Sequence, residues 1–384
     1  MAANERPKRP KIPYGELIGK YKVIKCAGQG GYGDIYYVTS PSDEFPVAIK
    51  FEMKSARKQA LKREYEYMKR VQGSIKFPRL ISFVEEETYR YIAMEMLGPS
   101  VSNLRRVCPG GKFSLFTTLQ TAQMMLSVIE EFHERGLVHR DIKPGNFLLR
   151  PANSIFLCLI DFGLSKLYID TDTQEILPPM EHPGFKGTLK YASPYAHYGE
   201  DQGRRDDLFS WFYSVAELYT GKLPWANVQG KTHILKAKRR FRKSEYFQIY
   251  PAEFYDILRY IEHLRFSEQP DYKYMNDIIE GMYATYCISP TSSLDWENIT
   301  DDAAKKISIF PLKRSDTPIP FSVEEILLQD EIDKKNHLKR KKEKKEEKER
   351  EKEKEEKEAL NSEKAPQAET VRKRNQASCA CLLI

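Results

Sequence analysis

Cysteine is scarce in this 384-residue sequence, and its six cysteines give no sign of a structural cross-link or a metal site. The first four stand far apart in the chain, without the paired spacing of zinc ligands. No apolar run resembles a signal peptide or a membrane-spanning helix. These absences argue against a disulfide-stabilised secreted protein and against a spanning membrane protein, and we expect a reducing, cytoplasmic environment.

The bulk composition is typical of a globular protein. Hydrophobic residues make up 41% of the chain and aromatic residues 12%, and the length suffices for two lobes or two domains with some chain left for tails. The formal net charge of +7 favours acidic partners such as phosphates, acidic peptides or a membrane surface. Charge alone does not choose among these three.

Charge patterning divides the chain into three parts. Residues 1–16 are basic and broken by proline, which predicts a flexible arm; a nuclear or nucleic-acid patch is the alternative. Residues 17–311 carry the pattern of a folded domain, and residues 312–384 form a tail. Within the tail, residues 334–357 are almost entirely lysine, arginine and glutamate, without an apolar stripe. They are predicted to form either a solvated helix held by Glu–Lys pairs, which we favour, or a disordered segment.

Strand signals precede helix signals in the folded part. Strands are predicted from Tyr21 onwards and again between residues 80 and 96, with one helix between them over residues 56–71. Helices are then predicted over residues 117–135 and 207–220, and the second of these is apolar almost all the way round, as expected of a buried helix. This order predicts an α+β chain in two lobes.

The most informative stretch covers residues 137–163. His139, Arg140 and Asp141 are followed by Lys143 and Asn146 at short fixed spacing. A strand-like apolar run over residues 155–160 then ends in Asp-Phe-Gly at 161–163. The order and spacing match the catalytic loop and metal-binding motif of protein kinases, and an ordinary polar turn is a poor alternative.

A glycine cluster upstream supplies a second candidate site. Gly28, Gly30 and Gly33 match G-x-G-x-x-G, in which glycine lets backbone amides approach phosphate oxygens. The same pattern marks dinucleotide sites, but those require a helix directly afterwards. Here residues 35–38 have the character of a returning strand, so a hairpin is predicted.

Lys50 ends a short strand and requires a carboxylate partner. In the helix predicted over residues 56–71, Glu64 shares a face with the apolar Leu61 and Met68, whereas Glu66 points away from it. We therefore predict a Lys50–Glu64 pair; a solvated glutamate is the alternative.

With these motifs in place, residues 21–311 resemble a eukaryotic protein kinase. The Ala-Pro-Glu usual after the activation segment is missing, and Lys-Tyr-Ala-Ser-Pro-Tyr stands at 190–195 instead. That replacement resembles the casein kinase 1 superfamily, and further motifs look most like its tau-tubulin kinase branch. The supporting motifs lie at residues 184–188, 204–208, 223–225, 270–272 and 295–297.

The resemblance implies a two-lobed kinase fold, with a strand-rich N-lobe over about residues 17–97 and a helical C-lobe over about residues 98–311. It implies ATP and Mg²⁺ as cofactors and serine or threonine of proteins as the acceptor. Asp141 would accept the hydroxyl proton, Lys143 would neutralise the transferring phosphate, and Asn146 and Asp161 would bind magnesium. The implied nucleotide-binding residues are Gly28, Gly30, Gly33, Ile35, Ala48, Lys50, Met94, Glu95 and Leu97. A pseudokinase scaffold is the alternative, but no motif residue is missing to support it.

Members of the superfamily often favour acidic or already phosphorylated substrates. A basic cluster could dock acidic residues, and a solvated basic surface is the alternative; it comprises Lys236, Lys238, Arg239, Arg240, Arg242 and Lys243. Met180 stands where many members carry an arginine, so a general acidic preference is expected rather than a primed-phosphate site. Thr188 and Tyr191 are candidate phosphorylation sites, with Arg140 as a phosphate partner, although the resemblance favours activity without such a switch.

The last four residues fit the C-a-a-X prenylation pattern at Cys381. Stable anchoring needs a second signal, for which Cys379 as a palmitoylation site and the basic residues 372–374 are candidates. An unmodified terminus is the alternative. We expect a kinase on the cytoplasmic face of a membrane, with the nucleus as the other location. Nucleic acid is not expected as a partner, since no binding module is recognisable.

Overall fold

The structure is a computed structural model, and it describes residues 11–30, 33–39, 47–56, 59–150, 153–289 and 292–298. The predictions for most of the basic arm and for the whole tail, with residues 334–357, Cys379 and Cys381, therefore lie outside the described residues. At the other end, Ile12 packs against the apolar core of the N-lobe, and its backbone N–H donates to the Tyr36 hydroxyl at 3.2 Å. The last residues of the basic arm thus lie against the sheet.

Six antiparallel strands build the N-lobe in the order β1-β2-β3-β4-β6-β5. Val23, Tyr36, Val38 and Ile49 are among the side chains buried in its core, because alternate residues of a strand point to the same face. The strands are β1 Leu17–Ile18, β2 Tyr21–Gly30, β3 Gly33–Thr39, β4 Val47–Met53, β5 Leu80–Glu85 and β6 Tyr89–Glu95.

Helix α1 covers Leu61–Arg70, so the prediction that it begins at residue 56 is wrong. Its N-cap residue, Ala60, has no side-chain acceptor for the free amides of the first turn. The buried carboxylate of Glu52, on β4, fills that role by accepting from the N–H groups of Ala60 at 2.8 Å and Leu61 at 3.2 Å. A helix start fixed from a neighbouring strand leaves no local signal in the sequence.

The C-lobe is helical, and α5 (Arg204–Thr220) lies at its centre. Of the 17 residues of α5, 15 are buried, as its all-round apolar pattern predicted. It begins at Arg204, earlier than predicted, because the Asp206 carboxylate accepts from the Gly203 N–H at 2.8 Å and caps the first turn. The helices are α2 Val101–Val107, α3 Leu115–Glu134, α4 Pro194–Tyr198, α5 Arg204–Thr220, α6 Lys231–Arg240, α7 Ala252–His263 and α8 Tyr272–Thr285.

The C-lobe also contains two small two-stranded antiparallel sheets. Strand β7 (Leu137–Val138) pairs with β10 (Lys166–Leu167), and β8 (Phe147–Arg150) pairs with β9 (Asn153–Leu159). Short 3₁₀ turns lie at Pro109–Gly111, Pro144–Asn146, Phe162–Leu164, Phe241–Lys243, Glu245–Ile249 and Asp295–Asn298. The predicted α+β architecture of a strand-rich lobe followed by a helical lobe is confirmed. Among the described residues, no helix combines the length and apolarity needed to cross a membrane.

Candidate active site

Asp207, in the first turn of α5, holds the catalytic loop in place. Its buried carboxylate accepts from the backbone N–H groups of His139 at 2.6 Å and Arg140 at 2.8 Å. His133 Nε2 lies 3.0 Å from the same carboxylate. Burial works against the charged form, but these donors and the neighbouring histidines keep the pKa of Asp207 below its usual value. The sequence motif at residues 204–208 contains Asp207, but its spacing does not indicate this role.

The His139 ring joins the two kinase motifs. Its Nδ1 accepts from the Asp141 N–H at 3.2 Å, and its Nε2 lies 3.0 Å from the Ile160 carbonyl, so the hydrogen bonds assign the proton to Nε2. Phe162 packs beneath the ring, with centroids 6.0 Å apart, and stacks on Phe132 at 5.2 Å. The loop that carries Asp141 and the turn that carries Asp161 are thereby held together.

Asp141 is in contact with Lys143 and Asn146 of the same motif and with Thr188, for which no contact with Asp141 was predicted. Its Oδ2 accepts from Lys143 Nζ at 2.5 Å, and its Oδ1 accepts from the Thr188 hydroxyl at 2.7 Å. Asn146 Nδ2 donates to the Asp141 backbone carbonyl at 2.9 Å, which fixes the orientation of the amide. A carboxylate has about four lone-pair sites, so Asp141 can accept a further hydroxyl.

Lys50 binds two carboxylates from opposite sides of the cleft. Its Nζ lies 2.7 Å from both oxygens of Glu64, on α1, and 2.7 Å from Oδ1 of Asp161. The predicted Lys50–Glu64 pair is therefore present, and Glu66 is instead paired with Lys69 on the exposed face.

Lys50, Glu64 and Asp161 form a charged triad, and its electrostatics favour a bound cation. The positive charge of Lys50 lowers the pKa of Asp161 to about 2, so the group is ionised at neutral pH, whereas burial raises the pKa of Glu64. The Asp161 side chain is 38% exposed, while those of Lys50 and Glu64 are buried. With both carboxylates ionised, the triad carries a net negative charge whose accessible part is Asp161. This carboxylate and the Asn146 amide oxygen are the hard oxygen ligands that Mg²⁺ prefers, so the residues present fit the metal.

The glycine hairpin takes the predicted form. Strands β2 and β3 pair antiparallel, with Gly28 opposite Ile35 and Gly30 opposite Gly33, so no helix follows as a dinucleotide site would need. A Cβ placed on Gly28 would meet nothing within 4 Å, so open space faces that position. At Gly33, φ is +138° and a Cβ would lie 2.8 Å from the Phe51 carbonyl, so packing requires glycine there. The tip, residues 31–32, is outside the described part.

Two of the implied nucleotide-binding residues, Met94 and Glu95, are the last residues of β6, and Met94 is opposite Ala48 of β4. The Glu95 carboxylate is bound at both oxygens by the Arg150 guanidinium, at 2.7 and 2.8 Å. Glu95 can therefore contact a nucleotide through its backbone but not through its side chain. Leu97 is buried.

The activation segment reaches back to the catalytic loop at Thr188. The preceding Gly187 has a φ of +95°, and a Cβ there would lie 2.5 Å from the Arg140 carbonyl. The Tyr191 hydroxyl donates to the buried Glu217, while Thr188 is bound to Asp141, so both candidate phosphorylation sites have engaged hydroxyls.

Only some residues of the basic cluster lie on the surface of the protein. The prediction that Lys238 is one of the residues that could dock an acidic substrate is wrong. Lys238 is 3% exposed, because its ammonium binds backbone carbonyls inside the lobe. Arg242 pairs with Glu262 at 2.8 Å. The exposed members are Lys236, Arg239, Arg240 and Lys243.

The fold and this constellation define the two-lobed protein kinase class. The family model described as protein kinase domain matches residues 21–284, and the chain belongs to that family. A protein described as a probable serine/threonine-protein kinase of Dictyostelium discoideum is 34% identical over 293 residues, which is 76% of this chain. The match covers 59% of that relative, so the chain spans less than two thirds of its length.

The close approach of Gly187 to the catalytic loop gives a test of the Thr188 contact. In Gly187→Ala, the new methyl group would push the segment away from Arg140 and take Thr188 off Asp141. We expect peptide phosphorylation to fall by at least about tenfold, which corresponds to roughly 1.4 kcal/mol. Steady-state kinetics with a serine peptide measure this effect.

Gly184→Ala is the matched control. Gly184 also has a positive φ, of +64°, so both variants place an L side chain in a backbone conformation that favours glycine. A Cβ at Gly184 meets nothing within 4 Å, so this variant should keep near wild-type kinetics. Equal losses in the two variants would mean that backbone strain, not the Thr188 contact, matters.

Proposed function

We propose that the protein is an ATP-dependent serine/threonine protein kinase. The observation that carries the proposal is the hydrogen bond from the Thr188 hydroxyl to Asp141 at 2.7 Å, beside Lys143. It places an aliphatic alcohol on an ionisable carboxylate next to a cation, which is the environment that a serine or threonine acceptor needs. The Dictyostelium relative, described as a probable serine/threonine-protein kinase, supports the same assignment.

In this function, bound ATP would supply the γ-phosphoryl group and Mg²⁺ would offset the charge of its oxygens. Lys50, oriented by Glu64, would bind the phosphates, and Asp161 with Asn146 would hold the metal. Asp141 takes up the proton that the acceptor hydroxyl loses, while Lys143 stabilises the negative charge beside it. All of these residues are held by contacts of 2.5–2.9 Å within the described chain.

Phosphate transfer from radiolabelled ATP to a serine peptide tests the activity directly. Asp161→Asn removes the exposed negative charge of the triad, so the rate should fall by at least about 100-fold, the scale seen when a charge-stabilising group is lost. The exposed Asp172→Asn in the activation segment is the control and should keep the wild-type rate.

The alternative function, a pseudokinase scaffold, makes the opposite prediction. A scaffold would transfer no phosphate above background in the wild type under any metal condition. A wild-type rate that Asp161→Asn leaves unchanged would instead point to a contaminating kinase. Either result would remove the catalytic proposal.

Within the family, the proposal extends to the casein kinase 1 superfamily and its tau-tubulin kinase branch, with activity that needs no activation-segment phosphate. The support is the sequence at 190–195 and the position of Asp201. This buried carboxylate pairs with Lys166 and accepts from the Met180 N–H at 3.0 Å. Its negative charge also lies close enough to Arg140 to act on it. The Asp201 carboxylate thus lies near Lys166 and Arg140, the basic residues that could otherwise bind a regulatory phosphate.

The preference for acidic substrates rests on the exposed members of the basic cluster. The double variant Arg239→Glu, Arg240→Glu should raise KM several-fold for a serine peptide flanked by glutamates, because attraction becomes repulsion. KM for a peptide flanked by alanines should stay unchanged. Arg106→Glu, at an exposed position of α2, is the control. If KM for the acidic peptide does not respond, the docking idea is wrong.

A lipid anchor at the C-terminus completes the proposal, with location on the cytoplasmic face of a membrane. The support is the Cys381 pattern together with Cys379 and the basic residues 372–374. In cell fractionation, Cys381→Ser should move most of the protein to the soluble fraction, whereas Cys287→Ser, at an exposed cysteine of the C-lobe, should not. Equal soluble fractions for wild type and Cys381→Ser would exclude the anchor.

A further inference from the structure

Lys238 is a buried lysine, and removing a lysine side chain from water costs free energy. Located on α6, it is 3% exposed, although lysine is almost never fully buried without partners. Its Nζ donates to the carbonyls of Leu189 at 2.7 Å and Ala192 at 2.6 Å, and it lies 3.2 Å from His197 Nε2. Two of the three donors of an ammonium group are therefore bound by carbonyl oxygens, and His197 Nε2 also lies 3.2 Å from the Leu189 carbonyl.

The polar and aromatic surroundings of Lys238 offset part of the cost of burying it. Burial lowers the pKa of Lys238 to about 6, but the carbonyl oxygens and two aromatic faces oppose that shift. The ring centroids of Tyr213 and Trp225 lie 5.1 and 5.5 Å from Nζ. Burial and the charge of Lys238 lower the pKa of His197 to about 4, so its ring is neutral.

The two carbonyls belong to the segment that directly follows Thr188. Between them, the Lys190 carbonyl accepts from the Trp225 indole N–H at 2.8 Å. Side chains of the C-lobe therefore hold three of the four carbonyls from Leu189 to Ala192. The outer face of this segment remains accessible, since the Leu189 side chain is 37% exposed.

We propose that Lys238 is a positioning residue that shapes residues 188–192 into the surface on which a protein substrate lies beside Asp141. The proposal rests on the kinase function proposed above. Lys238 has no contact with Lys50, Glu64 or Asp161 among the described interactions. Its influence should therefore fall on the binding of the protein substrate and not on the binding of ATP.

The test compares Lys238→Met with Lys236→Met in the full-length chain. Lys236 lies on the same helix at an exposed position, so it controls for the loss of a lysine from α6. With a serine peptide flanked by alanines, which does not depend on the exposed basic cluster, Lys238→Met should raise the peptide KM by about tenfold or more, since both hydrogen bonds to the segment are lost. KM for ATP and the rate of ATP hydrolysis measured without peptide should stay within about twofold of wild type.

A second variant guards against a folding defect. Trp225→Phe keeps an aromatic ring but loses the donor to the Lys190 carbonyl, so it should raise the peptide KM in the same direction by a smaller factor. If Lys238→Met does not fold, as judged by thermal unfolding, this variant decides the question.

Three results would overturn or redirect the inference. Lys238→Met kinetics equal to those of Lys236→Met would remove the positioning role. If Lys238→Met raises the KM for peptide and the KM for ATP together and also lowers the rate of ATP hydrolysis, Lys238 contributes to general stability instead. If the wild type phosphorylates no peptide, the kinase function itself has failed, which is distinguishable from either.

Discussion

The hydrogen bonds that Asp207 accepts are the constraint on which the candidate site depends. Two backbone N–H groups of the catalytic loop are buried, and each would cost about 1–3 kcal/mol if it were left unpaired. Arg140 has a φ of +65°, a left-handed conformation that a long side chain adopts only when its surroundings enforce it. The carboxylate supplies that enforcement. The positions of Asp141 and Asn146 therefore follow from one side chain on a different element.

Helix α5 carries two more buried acids that act in the same way. Asp206 accepts from the hydroxyl of Ser193, and Glu217 accepts from the side chains of Lys190 and Tyr191. Three acids of one helix thus hold both the catalytic loop and the segment after Thr188. This explains why α5 is buried almost all the way round: it serves as the fixed core against which both catalytic segments are placed. Acids in its first turn are also favoured by the partial positive charge of a helix N-terminus.

What could be predicted from sequence is what depends on local spacing. The order of strands and helices follows from periodicity, and Glu64 could be paired with Lys50 because helix geometry puts it on the apolar face. Contacts between elements that lie far apart in the sequence cannot be recognised from local spacing. Glu52 caps α1 from a strand, and Asp207 binds residues more than sixty positions earlier in the chain. Lys238, within a run of basic residues, has the sequence character of a solvated side chain, and only the carbonyls facing it explain its burial.

Charged side chains are bound differently in the two lobes. In the C-lobe the acids of α5 are buried and bound by donors of the same lobe, whereas Lys50 is shared between Glu64 of α1 and Asp161 of the C-lobe. That sharing requires α1 to lie close to the turn that begins at Asp161. The Asp161 side chain is more than a third exposed, so a divalent cation could compete with Lys50 for its carboxylate. Asp161 with Asn146 would hold the metal, and Glu64 would keep Lys50 in place to bind a phosphate.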